Sequence, residues 1–357
     1  MERVLIDGMQ GEGGGQMLRT SLSMSAATGR PFEMVNVRAK RETPGLKRQH
    51  LTCLRAAAEV CGARVEGDEV GSQRVAFRPG RIVAGRYRFD IGTAGSVTLV
   101  AQTVLPILLC ADGASEVTIT GGTHVPMSPC WEFFEKTYLP QLRKMGAEVE
   151  ARLVKYGFYP AGGGEVVLKI EPWTGAKAYE MAEPGNCLAA RVVARVANLP
   201  ADIAAAEVKI VASQLPGLAV RAESGCVASD GPGNYCALEL SYGDVTMVCS
   251  DIGTYDRSRK AVANTVAHAA KSYLKAGSVA DEHLSDQLLL PIVLAGERLK
   301  TDGIWGRFTM PRSRSLHFDT NWSVLRQFRD DVEMEIAEDG NGDRRIEVGI
   351  GKKGIGR

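Results

Sequence analysis

The chain has no Cys-x-x-Cys pair, no apolar run approaching the roughly 18 residues that span a bilayer, and almost no net charge. Each absence removes a class of protein. The eight cysteines (Cys53, Cys61, Cys110, Cys130, Cys187, Cys226, Cys236 and Cys249) are scattered, and several sit inside apolar segments. That argues against a disulfide frame or a zinc site and for reduced, small core residues. Without a long apolar run or a basic-then-apolar leader, a cytoplasmic protein is expected, with no membrane partner. A formal net charge of +1 excludes a broadly basic coat, so any contact with nucleic acid must use a local patch. A Gly-Lys-Ser/Thr ending is also missing from the glycine-rich run near the start, which excludes a Walker loop. What remains is 357 residues, 45% of them hydrophobic: enough for a packed core, and a length that fits two domains.

That glycine-rich run, Gly11-Glu12-Gly13-Gly14-Gly15-Gln16, follows a short apolar strand (Val4-Leu5-Ile6) and opens a helical pattern through Met17, Leu18, Leu22, Met24 and Ala26. Glycines let the backbone approach a ligand, and a helix start offers unpaired N–H groups to an anion. Glu12 can carry a divalent cation, and Arg19 lies one turn on. The alternative is a strand-to-helix turn with no ligand. A local basic patch comes next: Arg38, Lys40, Arg41, Lys47 and Arg48, with Gln49 and His50, around the break at Pro44-Gly45 and ahead of a helix over 46–61. Cations on a loop that feeds a helix start suit phosphate groups, although a solvated charged face has the same composition.

One pattern recurs three times: a helix, a strand, a polar loop, a second helix, then strands. The copies start at helices predicted over 16–28, 94–111 and 281–296. The strongest internal match is Gln102-Thr-Val-Leu105-Pro106-Ile107-Leu-Leu109 against Gln287-Leu-Leu-Leu290-Pro291-Ile292-Val-Leu294. Repeated units imply loops that converge on a shared centre, and each proline kinks its helix or marks its first turns. The segment 182–278 breaks the rhythm, with a strand, helix, three strands and a helix of its own. The expectation is therefore an α/β (α+β) chain. Units one and two occupy 1–181, a small inserted α/β domain occupies 182–278, and unit three occupies 279–357. The inserted domain carries few clustered functional side chains.

Chemistry concentrates in the third unit, at Arg312-Ser-Arg314-Ser315-Leu316-His317-Phe318-Asp319. His317 falls in the first turn of a helix, at a place equivalent to the basic loop of unit one and to His124 of unit two. A lone histidine is usually structural. Here two arginines add anion-binding character, and the repeat points the loop at the other candidate phosphate sites. Neutral imidazole can attack phosphorus, and the P–N bond it forms is labile enough to pass the group onward. His317 is thus a candidate covalent nucleotide carrier. His283 and His268 read as structural.

Gly11-Glu-Gly-Gly-Gly-Gln16-Met-Leu-Arg19, Pro44-Gly-Leu-Lys-Arg-Gln-His50, Gly157-Phe-Tyr-Pro160-Ala-Gly-Gly-Gly164, Asp286-Gln-Leu-Leu-Leu-Pro291 and the His317 loop resemble the RNA 3′-terminal phosphate cyclase family over essentially the whole chain. The resemblance implies three repeated two-helix/β-sheet units, with a thioredoxin-like domain inserted before the third. It implies ATP and a divalent metal (Mg or Mn) as cofactors, and RNA with a 3′-phosphate end as partner. The implied reaction makes a 2′,3′-cyclic phosphate through a histidine–AMP intermediate on His317 and an adenylylated RNA end. By the same resemblance Glu12 handles the metal and triphosphate. Arg38 is catalytic together with His317 and Glu12, and Arg19, Arg38 and Arg41 bind phosphate, with Gln49 and His50 beside them. Gly13, Gly14, Gln102, Asp286 and Gln287 line the nucleotide pocket, and Pro129 falls near an adenine wall. On the residues alone, Gln102 can equally brace its kinked helix, Asp286 can serve a helix dipole, and the 157–164 run reads as a hairpin turn. Leu316, Phe318 and Asp319 depart from the Cys and aliphatic residues expected around the nucleophile, and Asp319 adds an acid there. Two alternatives stay open at this level: a non-catalytic RNA-binding or ribosome-assembly homologue, and an enolpyruvyl transferase on a similar repeat fold. The oligomeric state cannot be read from this pattern.

Overall fold

The computed structural model describes residues 2–243, 245–299, 303–338 and 345–353. Chain order builds one pattern of strand pairing, then repeats it. The first sheet holds β1 (Val4–Asp7), β2 (Phe32–Val35), β3 (Arg64–Glu66) and β4 (Val75–Arg78) in the order β1-β2-β4-β3. β1 and β2 are parallel, and the other two pairings are antiparallel. α1 (Gly15–Thr28) makes the parallel crossover, and α2 (Arg48–Cys61) joins β2 to β3. The second sheet, β5 (Arg86–Asp90), β6 (Ser115–Gly121), β7 (Val149–Lys155) and β8 (Gly164–Ile170), has the order β5-β6-β8-β7 and the same senses. Its crossover is α3 (Val97–Leu108). Its second helix is a continuous segment of α4 (Trp131–Phe133), a π-helical turn (Phe134–Tyr138) and α5 (Leu139–Lys144).

After β9 (Tyr179–Met181) the chain forms a separate sheet of β10 (Ala189–Ala197), β11 (Val220–Cys226), β12 (Gly233–Ser241) and β13 (Thr246–Ile252), in the order β11-β10-β12-β13. α6 (Ala201–Ser213) links the parallel pair β10–β11, and α7 (Arg259–Ala276) follows β13. α8 (Glu282–Leu299), β14 (Ile304–Pro311), α9 (Leu316–Phe328), β15 (Val332–Glu338) and β16 (Arg345–Lys352) complete the chain. The third sheet runs β15-β16-β14-β9, with β9 parallel to β14 and the other pairings antiparallel. β9 therefore plays in the third sheet the part of β1 and β5 in theirs, although it precedes the inserted segment. The repeat as read from the sequence began at a helix and left this strand with unit two. The expected bounds 182–278 and 279–357 take in Asp244, 300–302, 339–344 and 354–357, which lie outside the described residues.

Alternation explains the sheets. Along β6 the residues Ser115, Val117, Ile119 and Gly121 are buried and those between are not, as period two demands of a strand covered on one face. α1 is different, for nearly every residue from Met17 to Ala26 is buried. It packs against α2, α3, α8 and α9, so it is the axis around which the units meet. Small hydroxyl residues allow that close approach, and each finds a partner. Ser21 Oγ donates to Met17 O (2.7 Å), Ser23 Oγ to Thr103 O (3.0 Å) and Thr20 Oγ1 to Asn321 Oδ1 (2.6 Å). Fully buried Leu18 and Leu22 add about 1.5–3 kcal/mol each.

Both repeated prolines sit inside their helices, Pro106 in α3 and Pro291 in α8, rather than in a first turn. Lacking an N–H, each leaves the carbonyl four residues back, that of Gln102 or Gln287, without its intrahelical donor. The 157–164 run connects antiparallel β7 and β8, as a hairpin turn does, and is tied down by bridges from Phe158 to His124 and Gly162.

Candidate active site

The loop after β1 reaches α1 through Gly13 (φ 62°) and Gly14, the N-cap of α1, which has no side chain to bond the first-turn N–H groups. Gly13 N–H is used inside the turn, donating to Gln10 O (3.2 Å). At Gly14 a Cβ would lie 2.3 Å from the Glu12 carboxylate, so only glycine lets that carboxylate fold back over the helix start. Glu12 is held from both sides: its backbone N–H donates to Thr320 Oγ1 of α9 (3.0 Å), and Arg41 pairs with its Oε2. Its side chain is 5% exposed. Oε1 is buried without a hydrogen-bond partner and lies 3.8 Å from His317 Nδ1.

His317 stands in the first turn of α9, whose N-cap Ser315 accepts from Phe318 N–H. The ring is half exposed, and Nδ1 faces Gln16 Oε1 at 2.9 Å. The other end of the Gln16 amide, Nε2, donates to Asp286 Oδ2. Asn321 Nδ2 in turn donates to Asp286 O (2.7 Å), locking α8 to α9. Burial pushes the Asp286 carboxyl up to about 7, against the opposing pull of the Gln16 hydrogen bond. Next in sequence, Gln287 accepts from Gln102 Nε2 and donates to His283 O (2.8 Å). The two residues whose repeat motifs match thus meet side chain to side chain, each beside a carbonyl that its proline leaves open.

The cations surround the glutamate. Arg19 makes no side-chain hydrogen bond or ion pair among the described residues, and burial lowers its pKa from the usual value, opposed only in part by neighbours that include Glu12 and Asp286. Arg38 is spent differently. Its Nη1 donates to Thr43 O (2.8 Å) and Gly45 O (2.7 Å), so this guanidinium braces the basic loop from within. His50 is buried, and its Nδ1 accepts from Lys47 N–H (3.3 Å). Burial, followed by the charges of Arg19 and Arg38, drives its pKa down to about 3, so it is neutral. Its ring packs where a Cβ on Gly15 would be, 2.2 Å from Nε2.

Gln49 and Pro129 belong to a neighbouring group at the start of α3. Gln49 Oε1 accepts from Ser96 N–H (2.7 Å), and Thr98 Oγ1 donates to Pro129 O (2.8 Å). No hydrogen bond among the described residues joins them to His317. Asp319 is paired with Arg314 (2.9 Å), which leaves Glu12 as the carboxylate facing the imidazole.

Gln16, Thr320 and Asn321 received no role from the sequence, yet they tie His317, Glu12 and Asp286 together. The available signal was Gln16 itself, a polar side chain in the first turn of a helix otherwise read as apolar.

A family model described as RNA 3′-terminal phosphate cyclase matches residues 10–336. Curated relatives described as RNA 3′-terminal phosphate cyclase include one from Salmonella enteritidis, 45% identical over 333 residues, covering 92% of this chain and 94% of that one. Another, from Koribacter versatilis, is 43% identical over 343 residues and covers 96% and 94%. A third, from Ectopseudomonas mendocina, is 43% identical over 321 residues and covers 88% and 90%. No helix of the described residues is long and apolar enough to cross a membrane.

Proposed function

The chain belongs to the RNA 3′-terminal phosphate cyclase family, and from that premise we propose that it converts an RNA 3′-terminal phosphate to a 2′,3′-cyclic phosphate at the expense of ATP, with His317 as covalent nucleotide carrier. The observation that carries this reading is the meeting of His317 with Glu12, Gln16 and Asp286 from three distant stretches of chain. In the first step the lone pair of His317 Nε2 forms a bond to the α-phosphorus, and the bond to pyrophosphate breaks. In the second, an oxygen of the RNA 3′-phosphate displaces the imidazole and takes the adenylyl group. In the third, the vicinal 2′-hydroxyl attacks that 3′-phosphorus, loses its proton, and AMP leaves. Such steps depend on placement and on neutralising charge, which is work for Arg19, Arg41 and the open N–H groups of α1. Arg38 would act at one remove, by holding the loop that carries Arg41.

A divalent cation fits Glu12, whose Oε1 is buried without a hydrogen-bond partner. Among the described residues no group of three or more His, Cys, Asp or Glu side chains is placed to hold a metal. The ion would then be shared between Glu12 and nucleotide phosphate oxygens, where it would neutralise charge. Gln102 and Gln287, with their open carbonyls, offer donors and acceptors to a nucleoside, and Pro129 an apolar wall. The cytoplasm is the expected compartment.

The test is an oligoribonucleotide bearing a 3′-phosphate, incubated with ATP and Mg or Mn. The terminal phosphate should become resistant to phosphatase. A terminal nucleotide lacking the 2′-hydroxyl should stall with AMP on the RNA end. A phosphate that stays sensitive with every metal would refute the reading.

A further inference from the structure

The Gln16 amide is bonded at both ends, and its two partners differ in what they can accept. Gln16 Nε2 donates to Asp286 Oδ2, and above the raised pKa of about 7 that carboxyl is ionised and an acceptor only, which holds the NH2 end of Gln16 towards it. The carbonyl end is then turned to His317 Nδ1 at 2.9 Å. A carbonyl oxygen cannot donate, so the hydrogen in that contact must be on Nδ1. Glu12 Oε1, at 3.8 Å from the same nitrogen, is a second acceptor on the same side. Neutral imidazole carries one N–H, and with it on Nδ1 the lone pair is on Nε2. In water the side chain prefers the opposite tautomer, so the protein must supply the bias.

We propose that Gln16 is a positioning residue that fixes the tautomer and ring orientation of His317, presenting Nε2 as the unprotonated, attacking nitrogen. The inference rests on His317 being the nucleophile. Its value to the reaction follows from the charge balance. When Nε2 gives its electron pair to phosphorus and pyrophosphate departs, the Nδ1 proton stays and the ring becomes cationic. Gln16 Oε1 already faces the nitrogen that holds that proton, so the charge develops beside an acceptor set in advance. Asp286 has its place in this chain as well: anchored on α8, it holds the Gln16 amide the right way round.

The test uses the whole protein with ring-labelled histidine and proton–nitrogen correlation at alkaline pH, where imidazoles are neutral, the His317 signal being identified by its loss in His317→Asn. Wild-type His317 should show the Nδ1–H pattern. Gln16→Met, which fills the same space without polar ends, should shift it toward Nε2–H, and Gln16→Asn, too short to reach both partners, should do the same. The rate of adenylyl transfer to the enzyme should fall about 10- to 100-fold in both variants, the loss typical when a histidine's orienting partner is removed, with KM for ATP little changed. A wild-type signal with the proton on Nε2, or variants with an unaltered tautomer and rate, would overturn the proposal. A tautomer that depends on Gln16 in a protein that never accepts the adenylyl group would refute the proposed function and leave the tautomer assignment standing.

Discussion

The second and third sheets each have a histidine shortly after their second strand, His124 before the next helix and His317 in its first turn, and the two could hardly be housed more differently. His124, after β6, is wholly buried. Thr123 Oγ1 meets its Nδ1 (2.8 Å) and Glu132 Oε2 its Nε2 (2.7 Å), while the ring stacks with Tyr235 and Tyr156 and lies tilted against Phe158. Tyr235 comes from β12 and donates to the other oxygen of Glu132 (2.8 Å), so His124 is the centre of a seam between two sheets. His317, after β14, is half exposed and has a partner only on Nδ1 among the described residues. A saturated ring fixes structure, whereas a ring with one open nitrogen can take a ligand. The same station thus holds a saturated, packed ring in one sheet and a ring with an open nitrogen in another, and what separates them is the partners rather than the position.

Four substitutions break or sharpen that contrast. His317→Asn should abolish adenylyl transfer to the protein, by at least about a thousandfold in rate, and leave the melting temperature within a degree or two, since a half-exposed ring is lost. His124→Ala should do the reverse. It strands Glu132 in the interior at a cost of about 3–5 kcal/mol, read by denaturant unfolding, while the folded fraction still accepts the adenylyl group. The same seam should be sensitive to acid. Burial raises the Glu132 carboxyl, but the charge and hydrogen bond of His124 and the bond from Tyr235 outweigh it and hold the pKa down to about 2. A depressed acid stabilises the fold above its unfolded pKa and loses that stability as pH falls through the folded value. Wild type should therefore lose about 3 kcal/mol between pH 5 and 2 from this group, and Glu132→Gln should show a flatter profile over that window. The smallest effect is expected for Arg38→Ala, which removes the donors to Thr43 O and Gly45 O. A loss of about 1–3 kcal/mol in unfolding free energy, together with weaker phosphate binding, would mark Arg38 as a brace for the basic loop.

The elements were legible because their periods are strong. β6 alternates cleanly, and α2 (Arg48–Cys61) falls within the 46–61 that its pattern predicted. The repeated Gln-x-x-Leu-Pro-Ile motif pointed to matching helices, and Gln102 and Gln287 are indeed bonded. Two things were hidden for physical reasons. β9 has three residues, and its partner β14 lies more than 100 residues further along the chain, so no local pattern could assign it to the third sheet. The link from Asp286 through Gln16 to His317 depends on side chains from α8, α1 and α9, and only packing shows which polar residues face one another. Arg38 illustrates the converse. A cation at the carboxyl end of a strand looks like a phosphate ligand in sequence, yet its nearest oxygens are carbonyls of its own loop.

The central claim is that the open nitrogen of His317, and not the saturated ring of His124, carries the nucleotide. The direct measurement is incubation with ATP labelled at the α-phosphate and Mg or Mn, followed by mapping of the labelled peptide. Acid-labile label on the peptide containing His317, absent from His317→Asn and retained by folded His124→Ala, is the expected result. Label that survives His317→Asn, or that maps elsewhere, would contradict the account.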